Sequence, residues 1–126
     1  MSIRLKRAYE KPDKGDGARL LVERLWPRGL TKDKAAIDEW FKEVAPSQAL
    51  RKWYGHDPQK WPDFRRRYLD ELRGNAEEVG RLRERVKAGP VTFVYAAKDE
   101  QHNSAVVLKE HVEGRAARPY RTRTAR

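Results

Sequence analysis

From position 91 the chain reads Val91-Thr92-Phe93-Val94-Tyr95-Ala96, an unbroken apolar and β-branched run without a charge. A half-exposed strand would alternate, so this run has the pattern of an interior strand covered on both faces. Gly89-Pro90 precedes it and closes off whatever helix comes before. The rest of the chain has to supply the neighbours and the cover for that strand.

The other segments can do so. Residues 3–9 alternate apolar and basic side chains, with Ile3, Leu5 and Arg7 on one face, which is a strand pattern. Lys14-Gly15-Asp16-Gly17 is turn chemistry. A second strand is predicted over residues 18–25, buried enough to hold Leu20, Leu21 and Val22 in a row. Trp26-Pro27-Arg28-Gly29 ends it, because Pro27 lacks a backbone donor and biases Trp26 towards extended geometry. Residues 31–44 read two ways. Ile37, Trp40, Phe41 and Val44 fit a helical face, yet the same stretch can run extended up to Ala45-Pro46. Ser47 is placed to cap a short helix over 48–54, stopped by Gly55. Phe64, Tyr68, Leu72, Val79, Leu82 and Val86 then form a 3.6-period stripe, with a break expected near Gly74-Asn75. Asp99 is expected to cap a final helix over 100–113 that turns Ala105, Leu108 and Val112 inward. The order is strands, then helices, then a strand–helix unit. That predicts a small single α/β domain with a short, mostly parallel sheet and helices packed on it.

Charge bounds the partners. The 126 residues carry 29 Lys+Arg against 19 Asp+Glu, a formal net charge of +10. The last twelve, Arg-Ala-Ala-Arg-Pro-Tyr-Arg-Thr-Arg-Thr-Ala-Arg, hold five Arg and no acid. The domain is therefore expected over 1–114, with 115–126 a flexible basic tail. Such a field suits nucleic acid or another polyanion; a solvated tail is the plain alternative. With no Cys, disulfides, thiol catalysis and thiolate-held metals are excluded. The apolar runs are too short to span a bilayer and the first ten residues lack a signal-peptide core, so a cytoplasmic protein is expected.

Gly-rich phosphate loops, GxSxG and HExxH are all missing, and His56, His102 and His111 lack metal-ligand spacing. No metal or cofactor is predicted. Two loops carry the interest. The segment Arg24-Leu25-Trp26-Pro27-Arg28-Gly29 offers guanidinium forks for an anion and an indole for stacking. Its structural alternative has Trp26 plugging the core and Arg24 paired with Glu23, Asp38 or Glu71. The segment Tyr95 to Asn103 runs off the last strand and contains Lys98, Asp99, His102 and Asn103. In open α/β sheets ligands bind beyond the carboxyl ends of the strands. If the two strands run parallel, both segments reach one edge and share a cleft. Ser47 with Arg51 could add a hydroxyl and a guanidinium, although a capped helix explains Ser47 equally. Arg65-Arg66-Arg67 reads as a solvated helix edge.

Taken in order, Val-Glu-Arg-Leu-Trp-Pro-Arg-Gly, Asp-Glu-Trp-Phe-Lys-Glu-Val-Ala-Pro-Ser, Leu-Arg-Lys-Trp-Tyr-Gly-His-Asp-Pro and the stretch from Val91 to Leu108 resemble the YeaO-like branch of domain-of-unknown-function family 488. The resemblance covers about residues 3–112 and leaves the tail outside. It implies a compact α/β cytoplasmic domain of bacteria or archaea, without an established activity. It also implies a shared site at Arg24, Trp26, Arg28, Ser47, His102 and Asn103. Where the broader family carries a Cys-His-Arg segment, this chain has His102-Asn103-Ser104, so thiol chemistry does not carry over. The leading expectation is a module binding nucleic acid or a nucleotide or phosphate through Arg24, Trp26, Arg28, Ser47, Arg51, Lys98 and Asn103. The alternatives are a small enzyme with His102 as general acid–base, and a scaffold with no site.

Overall fold

The structure, a computed structural model, describes residues 2–114; the expected domain boundary's basic tail lies outside the described residues. Four strands form one sheet in the order β1-β4-β2-β3. They are β1 (Ile3–Arg7), β2 (Ala18–Leu21), β3 (Glu39–Trp40) and β4 (Val91–Tyr95). Every pairing is parallel, with Leu5 opposite Phe93 and Leu20 opposite Phe93 on the other side. The apolar run is thus the interior strand, and all five of its residues are buried.

The helices are α1 (Lys32–Ala35), α2 (Gln48–Tyr54), α3 (Trp61–Arg73), α4 (Ala76–Lys87) and α5 (Ser104–Val112). One face of the sheet, through Ile3, Leu20, Val22, Phe93 and Tyr95, shares the main core with Tyr68, Leu72, Leu82 and Leu108 of the helices. The other face is covered by shorter pieces: Ala8, Leu21 and Val94 lie under Trp26, Leu30 and Ile37. Near them a 3₁₀ turn, Lys14–Asp16, buries Asp16 beside Lys6 and Arg19 at 3.1 and 2.6 Å. Thr92, the one polar residue of the central strand, donates its hydroxyl to the Asp16 carbonyl at 2.7 Å.

Several boundaries differ from the sequence reading. The second strand ends at Leu21, and Val22 keeps one ladder bond to Val94 before the chain leaves the sheet. Residues 31–44 take neither expected form throughout. They split into α1, the two-residue β3 and a 3₁₀ turn, Lys42–Val44. The free edge of β2 decides this: Asp38 and Phe41 N–H groups donate to the carbonyls of Arg19 and Leu21, a ladder a helix could not supply. The break between α3 and α4 falls at Gly74-Asn75 as expected. The last helix starts later than predicted. Asn103, not Asp99, is its N-cap, accepting from the Val106 N–H at 3.1 Å. Asp99 instead closes a turn upstream by accepting from Gln101 and His102 N–H groups.

Candidate functional site

Because β2 and β4 run parallel, the chain leaves both at the same edge of the sheet. Their two following loops converge there with α2, and the space between them is a cleft of about 860 Å³. Arg24, Trp26, Arg28, Arg51, Lys98, His102 and Asn103 all line it. Ser47 does not. Its hydroxyl caps α2 by accepting from Leu50 N–H and donates to Glu71 at 2.6 Å, clasping α2 to α3.

The lining residues divide into those already engaged and those left open. Arg24 turns its guanidinium to the Ala45 carbonyl at 2.9 Å, with Glu43 at 3.7 Å. Neither Glu23, Asp38 nor Glu71 is its partner. Asn103 is buried with both amide atoms spent on backbone, at Asp99 O and Val106 N, so its expected role in orienting an anion passes to helix capping. Trp26 donates to the Leu30 carbonyl at 2.7 Å and meets Trp40 edge to face, with centroids 5.6 Å apart. Part of its ring remains on the cleft wall. Arg28, Arg51 and Lys98, by contrast, form no side-chain hydrogen bond or ion pair among the described residues. Each comes from a different piece of chain, and only Arg51 feels a carboxylate, Glu23, without forming an ion pair with it.

His102 lies beside them. Its Nδ1 donates to Asp99 Oδ2 at 3.0 Å, since a carboxylate can only accept, and its ring stands edge-on to Trp61 at 5.2 Å. The N–H groups of Gln101 and His102, then the imidazole itself, hold the Asp99 carboxyl below its usual range. Tyr54, Phe64 and Trp61 stack in series behind this wall. His56, also on the rim, holds a positive φ of 59°.

Other contributors were invisible in the sequence reading. Glu23 reaches under both loops and accepts from the Ala96 N–H at 2.8 Å. Burial pushes its carboxyl above the usual value, against the pull of that N–H, Arg51 and His56. Arg7 donates to the Ala97 carbonyl at 2.9 Å, and Tyr9 donates to the Arg28 carbonyl at the same distance. Trp40 donates to the Glu23 carbonyl at 2.6 Å. Both loops are therefore pinned through their backbones by side chains from elsewhere. Only the alternation of Arg7 with Leu5 hinted that its side chain faces inward.

These features define a small parallel α/β domain with a cation-rimmed cleft at the carboxyl edge of its sheet. Its sequence matches, over residues 2–125, the family model described as the inactive DUF488-N3 subclade, so the chain belongs to the DUF488 family. The match extends into the basic tail, beyond the stretch on which the resemblance was read. The uncharacterized protein YeaO of Escherichia coli (strain K12) is 43% identical over 110 residues, 87% of this chain and 96% of its own. The uncharacterized protein Rv3073c of Mycobacterium tuberculosis is 40% identical over 113 residues, 90% of this chain and 95% of its own. No solved structure matches the chain. No helix among the described residues is long and apolar enough to cross a membrane.

Proposed function

We propose that the protein binds a small phosphate-bearing ligand of nucleotide size in this cleft. The observation that carries the reading is the convergence of Arg28, Arg51 and Lys98, with no ion pair to any carboxylate among the described residues, around a wall that includes Trp26. Guanidinium forks suit phosphate oxygens, and an indole face accepts a base. The volume falls within the range of small-molecule sites, and α5 starts at the cleft wall. Extended nucleic acid is supported less. Many cations of the helical surface are matched by acids, as in Arg65–Glu110, Arg66–Asp63, Arg73–Asp70 and Arg81–Glu78.

Catalysis by His102 is the second reading, and its support is the Asp99 bond that fixes the imidazole tautomer. Against it, no hydroxyl pairs with the ring among the described residues, and the matched subclade is described as inactive. Binding is the better account.

Thermal melts with pyrophosphate and with nucleoside monophosphates test it. Millimolar ligand is expected to raise Tm by mass action. Arg28→Ala is expected to weaken affinity by about tenfold, the order of one lost charge-assisted contact. Arg66→Ala, on a paired surface site, should leave it unchanged. Absence of any anion-dependent rise overturns the reading, and turnover of the bound nucleotide would favour the catalytic one.

A further inference from the structure

Two carboxylates in the cleft have the wrong sign for phosphate, and one of them, Asp99, is already engaged by the Gln101 and His102 N–H groups and the His102 ring. The other, Glu23, sits on the wall among Arg24, Arg28, Arg51 and Lys98, and it would repel the anion those residues attract. Its placement is fixed rather than incidental. The carboxylate bridges the two loops, with Oε2 held at 2.8 Å by the Ala96 N–H, and the Glu23 carbonyl is held in turn by Trp40. Oε1 has no hydrogen-bond partner among the described residues, and it is not among the buried atoms closed off from solvent. That oxygen keeps exposed surface, on a residue that lines the cleft.

An ionised carboxylate is an acceptor only. In a partly desolvated setting an unfilled acceptor discriminates strongly, because a ligand that brings another acceptor leaves it unpaired. A primary ammonium is a poor fit, since Arg51 and His56 already act electrostatically on Glu23. A neutral N–H donor meets no such opposition. Trp26, Tyr54 and Phe64 are among the lining residues, and aromatic side chains of this kind can pack against a flat ring. The ligand this arrangement fits has an anion at one end and a planar group with N–H donors at the other.

Resting on the anion reading above, we propose that Glu23 is the specificity-determining residue of the cleft. It selects a guanine nucleotide, whose N1–H and N2–H₂ present two adjacent donors to the carboxylate, over an adenine nucleotide, whose edge sets one donor, N6–H₂, beside the N1 acceptor that the carboxylate repels.

Calorimetric titration of the full chain with GMP, AMP and pyrophosphate decides this. GMP is expected to bind about tenfold or more tightly than AMP, a ratio in keeping with sites built around one polar group. In Glu23→Gln the amide oxygen can keep the Ala96 bond and turn a donor to the cleft. The variant should lose about tenfold in GMP affinity and most of the preference, while pyrophosphate affinity holds or rises with the loss of the repelling charge. The wild-type ratio tests the idea even if the variant folds poorly. Equal GMP and AMP affinities, an AMP preference, or a preference that survives Glu23→Gln in folded protein would each overturn the Glu23 inference and leave the anion reading standing. Failure to bind pyrophosphate and both nucleotides would overturn the anion reading, and the inference with it.

Discussion

Asp16 shows how much one side chain can organise. It is 1% exposed and faces Arg19, itself 4% exposed, whose guanidinium also donates to the Ala35 and Ala36 carbonyls. Burial alone would raise the Asp16 carboxyl, but the Asp13 N–H, Lys6 and Arg19 outweigh it and hold it below its usual value. A depressed acid contributes stability that is present above the ordinary carboxyl range and lost as pH falls through it. Asp16→Asn is expected to cost about 3–5 kcal/mol in urea unfolding at pH 7, because Arg19 is left buried without its counter-charge. The gap to wild type should narrow towards pH 3. Next to it, Gly17 has φ +64° and a Cβ there would lie 2.3 Å from the Pro90 carbonyl oxygen. Gly17→Ala should therefore cost more than about 2 kcal/mol, read from the same unfolding curves. The sequence marked Lys14 to Gly17 as a turn and was right about Gly17. It could not mark Asp16 as buried, because spacing shows Arg19 and Asp13 three residues away but not Lys6, which arrives from β1, or the sheet that covers them.

Elements were legible where a periodic pattern met no competitor. The stripe through α3 and α4 and the run in β4 belong to this class, since their burial follows from spacing alone. Phe93, fully buried between β1 and β2, is the keystone of that reading. Phe93→Ala is expected to cost about 3–5 kcal/mol, and a loss below about 1 kcal/mol would place the strand at an edge. Residues 31–44 were illegible because an edge of β2, distant in sequence, claimed their backbone donors. The onset of α5 was missed for another reason: Asp99 and Asn103 are both good caps four residues apart, and only the course of the loop chooses between them. Within α5, His111 is buried, its Nδ1 without a hydrogen-bond partner among the described residues, while Arg83 donates to its carbonyl at 2.9 Å. Burial first, then Arg83 and Arg73, hold its imidazole below the usual range. Such a base contributes stability that is present above the ordinary histidine range and lost as pH falls through it, because the unfolded chain takes up a proton that the fold resists. His111→Leu should accordingly flatten the decline of Tm between pH 7 and pH 5.

At the scale of the molecule, charge and topology act together. Parallel pairing of β2 with β4 was a condition in the sequence argument, and meeting it brought most of the expected lining residues into one cleft. Ser47 fell outside because capping α2 and holding Glu71 use up its hydroxyl. Glu23, Arg7 and Tyr9 went unread as site residues, since a bond from a side chain to a remote backbone atom leaves no trace in spacing. Residues 115–126 hold five of the cations behind the net +10. We propose that they add salt-sensitive affinity for polyanions rather than stability. Their removal should lower the salt needed to elute the protein from heparin and leave Tm within about 2 °C, as expected of a segment whose sequence has no periodic apolar face. A marked drop in Tm would show that they support the fold.

The pinned loops separate two things that most binding sites inherit together. Arg7, Tyr9 and Trp40 hold main-chain carbonyls, at Ala97, Arg28 and Glu23, and carbonyls are common to all twenty amino acids. The outline of the cleft is thus indifferent to what stands at positions 28 and 97. A lineage can exchange the cation at position 28, or add one at position 97, and with it the chemistry of what is held, without renegotiating the shape. The braces themselves have no such freedom.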